Sequence, residues 1–300
     1  MYQVLAVMFL LIAVGMLLRV AKVFPAETVP LLNRFVLYLT FPCLIFRSLQ
    51  PAQLTQELWK IPPLAYTLIS LVFLASYFLS SRLLHLKDET SVSLAMGAAF
   101  GNTAFLGYPF ILALLGEKGL PPAIFFDQMG NFLSTYTVGV LLCIYIQTKH
   151  LSARSLLEII KLPPFLAFLL AIITNGLSIP PFLWEAINHL ANATVPLTMV
   201  AIGMSLSASH LFRNWKPLLL ASSIKLAFLP LLFLACTKFI SFSPLYQKVM
   251  VIQAATPTLM TSYTLASIYE LDSEFSSSVI CFTTFLSLFT LPLWGLFLHP

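Results

Sequence analysis

Two ionisable side chains sit in surroundings that penalise charge. Asp127, in FFDQMGNFLSTYT, and Lys225, in SSIKLAFLP, each lie within a long apolar run. Where charge persists in such a run, it pairs with another polar group or serves a function. Asn131 follows Asp127 by four residues and so shares its helical face, with Gln128 beside it. Asp127, with Asn131 and Gln128 as neighbours, could take up and release an ion, H+ or Na+. The alternative is a carboxylate a turn and a half past Pro121–Pro122, held by the helix dipole and wetted from outside. Lys225, about 12 Å into its run by helical rise, could attract an anion. Alternatively, its flexible stem could lift the ammonium to the membrane surface.

A second kind of chemistry needs no charge. FGNTAFLGYPF (Phe100–Phe110) places an amide, a hydroxyl, two glycines and a proline in an apolar run, and TPTLMTSYT (Thr256–Thr264) likewise interrupts a later one. A broken helix frees backbone N–H and C=O groups, which lipid tolerates only where protein or a water-filled cavity satisfies them. The amino ends of the resulting half-helices carry partial positive charge and suit an anion. The candidate binding residues at two breaks meeting near the bilayer midplane are Asn102, Thr103, Gly107 and Pro109, then Pro257, Thr258 and Tyr263. Gly97, Gly101 and Gly107 would let the interrupted helices approach closely. The plainer alternative is a pair of proline-kinked structural helices.

These residues require a particular kind of scaffold. The 300 residues are 59% hydrophobic and 9% charged, with a mean hydropathy of +0.93. A soluble core cannot enclose so much apolar surface. The runs are about 20 residues long without strict alternation, which selects helices over barrel strands. The expectation is an all-α polytopic membrane protein with ten spans. The first five are Tyr2–Val20, Leu31–Leu49, Pro62–Leu84, Val92–Leu115 and Pro122–Ile146. The second five are Leu162–Ile179, Ala191–Ser209, Pro217–Phe239, Gln247–Ile268 and Phe275–Leu298. The first lacks a basic leader region and a small-residue cleavage site, so it reads as a helix rather than a signal peptide.

Charge sets the direction. Odd-numbered loops hold ten of the sixteen Lys and Arg residues, even-numbered loops hold five, and Lys225 lies within a span. Both termini are therefore expected outside, in a cell membrane (the inner one in a Gram-negative cell). The chain reads as one membrane domain, 1–300. Residues 1–146 form one five-helix repeat, 147–161 a cytoplasmic connecting loop, and 162–300 a second repeat.

The two interruptions lie 155 residues apart, pairing Thr103 with Thr258, Tyr108 with Tyr263 and Asn102 with Pro257. Pro42 and Pro196 match at nearly the same offset. Because five is odd, the second half enters the membrane from the opposite side, as an inverted repeat. Cys43, Cys143, Cys236 and Cys281 read as small core residues. No His, Cys or carboxylate spacing suggests a metal or cofactor site. No nucleic-acid signature appears. Intramembrane catalysis finds no motif and no paired carboxylates, so the expectation is not an enzyme.

The segments LLNRFVLYLTFPCLIF, FGNTAFLGYPFILALLGEKGL, ANATVPLTMVAIGMSLS and QAATPTLMTSYTLASIYELDSEFSSSVICFTTFLSLFTLPL resemble the auxin efflux carrier family. With the span layout, the resemblance covers essentially the whole chain. It implies two inverted five-helix repeats whose fourth and ninth helices are broken and cross, in the general form of bile-acid and sodium–proton transporters. It also implies alternating access by a mobile unit against a scaffold, often in a homodimer. The implied cargoes are small organic anions such as malate, malonate or auxin-like carboxylates. Asn102, Pro109 and Pro257 map onto the crossover. The absence of a long central loop sets the chain apart from plant carriers and closer to compact microbial permeases. A membrane-bound ligand sensor on the same scaffold is the competing reading.

Overall fold

The computed structural model describes residues 2–25, 27–148, 162–205 and 215–298. Most of the connecting loop, with Lys149, Arg154 and Lys161, lies outside the described residues, as does Arg213. Among the described residues the fold is helical throughout, with one isolated antiparallel bridge, Gly101 to Thr258.

The helices in chain order are α1 (Tyr2–Val20), α2 (Thr28–Leu49), α3 (Gln56–Leu83), α4 (Asp88–Ala99), α5 (Thr103–Leu115) and α6 (Glu117–Gln147). After the connecting loop come α7 (Pro163–Ile173), α8 (Pro181–Ser205), α9 (Trp215–Phe239), α10 (Pro244–Ala254), α11 (Thr261–Ile268) and α12 (Ser273–Phe297). Five of them, α2, α3, α6, α9 and α12, are each long and apolar enough to cross a membrane. Large apolar side chains cover the outside, including Leu17, Ile173, Phe239 and Phe297. Such a surface suits lipid rather than water.

Several boundaries differ from the sequence expectation, α3 for one beginning at Gln56 rather than Pro62, and two of them have a visible cause. Helix α7 stops at Ile173 instead of running to Ile179. Gly176 takes a positive φ of 75°, and Asn175 turns its amide onto the carbonyls of Leu49, Gln50 and Ala52 at 3.0, 2.8 and 2.9 Å. That amide caps the carboxyl end of α2, so the chain must turn there. Helix α8 starts ten residues before the expected Ala191, at Pro181. Its first turns carry Glu185, Asn188, His189 and Asn192, whose polarity hides a helix from a hydropathy window.

The helices pack in two groups. Helix α1 lies along α8, and α2 packs on both α7 and α8. The other group brings α3, α9 and α12 around α4, with α6 against α3, α10 against α9 and α11 against α12. The α1–α8 contact is a backbone-to-backbone approach: a Cβ on Gly203 would lie 2.0 Å from the carbonyl oxygen of Ile12. Between the groups runs an apolar seam, with Met8, Ile12 and Met199 on one side and Leu106, Phe110 and Leu291 on the other.

Candidate functional site at the crossed helix breaks

The first interruption falls at Phe100–Asn102, between α4 and α5, and the second at residues 255–260, between α10 and α11. The broken ends pair with each other. Asn102 N donates to Pro257 O at 2.7 Å, and Leu259 N donates to Phe100 O at 2.9 Å. The freed backbone groups thus meet much of their hydrogen-bonding need across the crossover, without water.

Side chains complete that pairing. Asn131 acts as a surrogate peptide: its Oδ1 accepts from Gly101 N and its Nδ2 donates to Gly101 O, both at 2.9 Å. The same Nδ2 donates to Thr103 Oγ1 at 3.0 Å. Asn102 caps the start of α5, its Oδ1 accepting from Phe105 N at 3.2 Å. An asparagine suits this place because its short side chain reaches back to a helix-entry N–H. Thr258 Oγ1 donates to Gly97 O at 2.6 Å, and Thr258 N donates to Thr283 Oγ1 at 3.1 Å. This residue ties the second break to α4 and α12.

Two charged residues, Asp127 and Lys225, stand among the buried side chains described. Each rides on a π-helical turn, Phe126–Asn131 in α6 and Ile224–Phe228 in α9. Such widened turns re-aim side chains and recur at functional sites. Asp127 accepts from Thr103 Oγ1, from Tyr108 Oη at 2.5 Å and from Gln128 Nε2 at 2.7 Å. At 5% exposure it is enclosed rather than wetted from outside. Lys225 is 1% exposed and its ammonium donates to Ala254 O at 2.6 Å, so it does not reach for the membrane surface.

Beside the crossover lies a cavity of about 150 Å3. Asn102, Thr103, Asp127, Gln128 and Asn131 line its polar side, and Leu37, Phe41, Ile45, Phe105 and Phe132 its apolar side. Leu259 and Thr261, at the amino end of α11, line it together with Asn102 and Thr103 at the amino end of α5. Tyr136, Leu162 and Pro164 line it as well, the last two directly following the connecting segment in sequence. Among the described residues no lysine, arginine or histidine lines this space, and no group of three His, Cys, Asp or Glu could hold a metal.

The expected site residues therefore divide. Asn102, Thr103, Asp127 and Asn131 come together around the cavity. Gly107, Pro257 and Thr258 sit where the breaks pair: a Cβ on Gly107 would lie 2.1 Å from Gln253 Oε1, whereas Pro109 is buried in the first turn of the regular α-helical part of α5. Gly101 likewise faces the second break, at Thr256, whereas Gly97 faces Val279 of α12. Tyr263 is half exposed and lines a separate cavity of about 190 Å3 with Met260, Ser277, Cys281 and Thr284. Tyr108, which the sequence pairs with Tyr263 but which is absent from the expected site, is buried against Asp127. The five-residue step from Thr103 to Tyr108 carries that pairing through the π turn Thr103–Gly107.

A helical body with a lipid-suited exterior and paired helix breaks buried inside it defines a polytopic membrane protein. The model of the membrane transport protein family matches residues 1–151 and 147–295. The chain belongs to this family of membrane transporters, the auxin efflux carriers. An uncharacterized transporter of Methanocaldococcus jannaschii is 30% identical over 305 residues, 98% of this chain and 97% of the relative. One of Methanothermobacter thermautotrophicus is 33% identical over 295 residues, 96% and 95% of the two chains. A Rhizobium meliloti protein named "Putative malonate transporter" is 26% identical over 278 residues, 89% and 86% of the two chains.

Proposed function

We propose that this transporter is a secondary carrier of small organic anions, working by alternating access at the crossover. The observation that carries the proposal is the cavity of about 150 Å3 lined by the amino ends of α5 and α11. Two helix amino ends converging on one space favour a negatively charged group. The amides and hydroxyls of Asn102, Thr103, Gln128 and Asn131 add polar contacts, and the phenylalanine wall takes the carbon body. The malonate named for the Rhizobium relative is one cargo of suitable size and charge.

In this reading the fold comprises ten spans in two inverted five-helix repeats, with the α4–α5 and α10–α11 pairs as the fourth and ninth. The group α1, α2, α7 and α8 is the scaffold, and the remaining helices carry the site past it. The apolar seam supports this division, because it holds few directional bonds to break on sliding. Asp127 is the coupling site, exchanging H+ or Na+ as Thr103, Tyr108 and Gln128 rearrange around it. Lys225 adds positive potential near the bound anion without lining the cavity. The side of the cavity lined by Leu162 and Pro164 faces the cytoplasm if the basic connecting loop lies inside.

Uptake into proteoliposomes tests the proposal. Labelled malonate, malate and aromatic carboxylates are offered with and without proton and sodium gradients. Saturable uptake of at least one, accelerated by one gradient, is expected. Binding without flux would favour a membrane sensor, and neither binding nor flux would refute the carrier.

A further inference from the structure

Two helix carboxyl ends meet at the crossover, and different chemistry caps each. The end of α4 is served by neutral groups. Gly97 O accepts from the Thr258 hydroxyl, Phe100 O from Leu259 N, and Gly101 O from the Asn131 amide. The end of α10 is served by Thr256 Oγ1 on Gln253 O at 2.7 Å and by the Lys225 ammonium on Ala254 O at 2.6 Å.

The ammonium sits where the two broken segments touch: a Cβ on Gly101 would lie 3.2 Å from Lys225 Nζ and 2.6 Å from Thr256 Oγ1. A helix carboxyl end carries about half a negative charge, and away from water its carbonyls attract a cation. Carbonyls at half-helix carboxyl ends inside a membrane are suitable ligands for a monovalent metal ion. Here a cation is already delivered by the chain, buried at 1% exposure. A metal ion on the same carbonyls would meet the repulsion of a second positive charge. Since Lys225 does not line the cavity of about 150 Å3, its direct partner is the helix end rather than the cargo.

We propose that Lys225 is a tethered counter-ion that occupies, at the carboxyl end of α10, the place of a bound monovalent cation, so that the crossover assembles without sodium. The proposal concerns how the crossover is held together and stands whatever the cargo.

Thermal unfolding of the purified full chain tests it and needs no transport. Because the proposed coupling carboxylate could itself take up sodium, the comparisons are made in an Asp127→Asn background. There, with Lys225 intact, replacing choline by sodium, potassium or lithium at equal ionic strength is expected to move Tm by no more than about 1 °C. A site filled to a hundredfold excess over Kd would move it by several degrees. Lys225→Ala is expected to lose about 5 °C or more in choline and to recover at least half of it in sodium or methylammonium. Lys225→Met, which keeps the stem without the charge, is the second variant. Saturable stabilisation by sodium of the Asp127→Asn protein with Lys225 intact would overturn the proposal. So would a charge-free variant as stable in choline as that parent, or one that no cation restores. If neither Lys225 variant accumulates, the comparison with Lys225 intact decides. Absence of carboxylate uptake by the wild type, alongside a sodium-indifferent parent and a cation-rescued variant, would refute the proposed cargo and leave this inference standing.

Discussion

Replacing Asn131 by leucine removes the surrogate peptide of the crossover while nearly preserving side-chain volume. Gly101 N loses its 2.9 Å acceptor, Gly101 O its 2.9 Å donor, and Thr103 Oγ1 a donor at 3.0 Å. Asn131 is 2% exposed, so little water replaces what is lost. Leaving a buried polar group unpaired costs about 1–3 kcal/mol. Gly101 N is left unpaired and Gly101 O keeps only the Thr103 hydroxyl at 3.4 Å, so together they cost up to about 6 kcal/mol, against a typical folding stability of about 5–15 kcal/mol. The expected fall in Tm is on the order of 10 °C. Cys143 is fully buried and, once the partly exposed Cys43, Cys236 and Cys281 are replaced by serine, supplies the assay: a thiol-reactive dye labels it as the detergent-solubilised protein unfolds. Tyr263→Phe, at a half-exposed side chain, serves as the control and should stay within about 0.5 kcal/mol of the wild type. An Asn131→Leu Tm within about 2 °C of the wild type would show that the breaks are not held by this amide.

Four further outcomes follow from the same geometry. Asn175→Ala, which uncaps α2 at Leu49, Gln50 and Ala52, should cost about 1–3 kcal/mol in thermal or denaturant unfolding. Gly203→Val should prevent the α1–α8 approach, seen as loss of monodisperse protein in size-exclusion chromatography, because its Cβ alone would sit 2.0 Å from Ile12 O. Tyr108→Phe removes the 2.5 Å donor to Asp127 and should lower stability by about 1–3 kcal/mol. Asp127→Asn should abolish the proton or sodium dependence of uptake while the protein still folds; unchanged ion dependence would remove Asp127 from the coupling role.

Much of this was legible in the sequence, for identifiable physical reasons. Helix breakers in apolar runs announced the interruptions at Phe100–Asn102 and around Pro257, because lipid leaves broken backbone no partner but protein. The i, i+4 spacing placed Asp127 and Asn131 on one face, and the structure gives both a role around Thr103. The destination of Lys225 was not legible. Its depth along α9 follows from helical rise, but its partner is a carbonyl on α10, 29 residues away in sequence. Tyr108 was missed because a π turn changes which side chains share a face. The start of α8 was missed because its polar residues lower the hydropathy on which span detection depends.

The most direct test of the cavity as the cargo site fills it without removing a polar contact. Ala104 lines the cavity, and Ala104→Phe would project a ring into a space of about 150 Å3 while leaving Asn102, Thr103, Asp127 and Asn131 in place. Counterflow of labelled carboxylate into proteoliposomes, compared between wild type and this variant at equal reconstituted amount and comparable Tm, is the measurement. The account predicts saturable counterflow in the wild type and loss of nearly all of it in the variant; undiminished counterflow through the filled protein would contradict it.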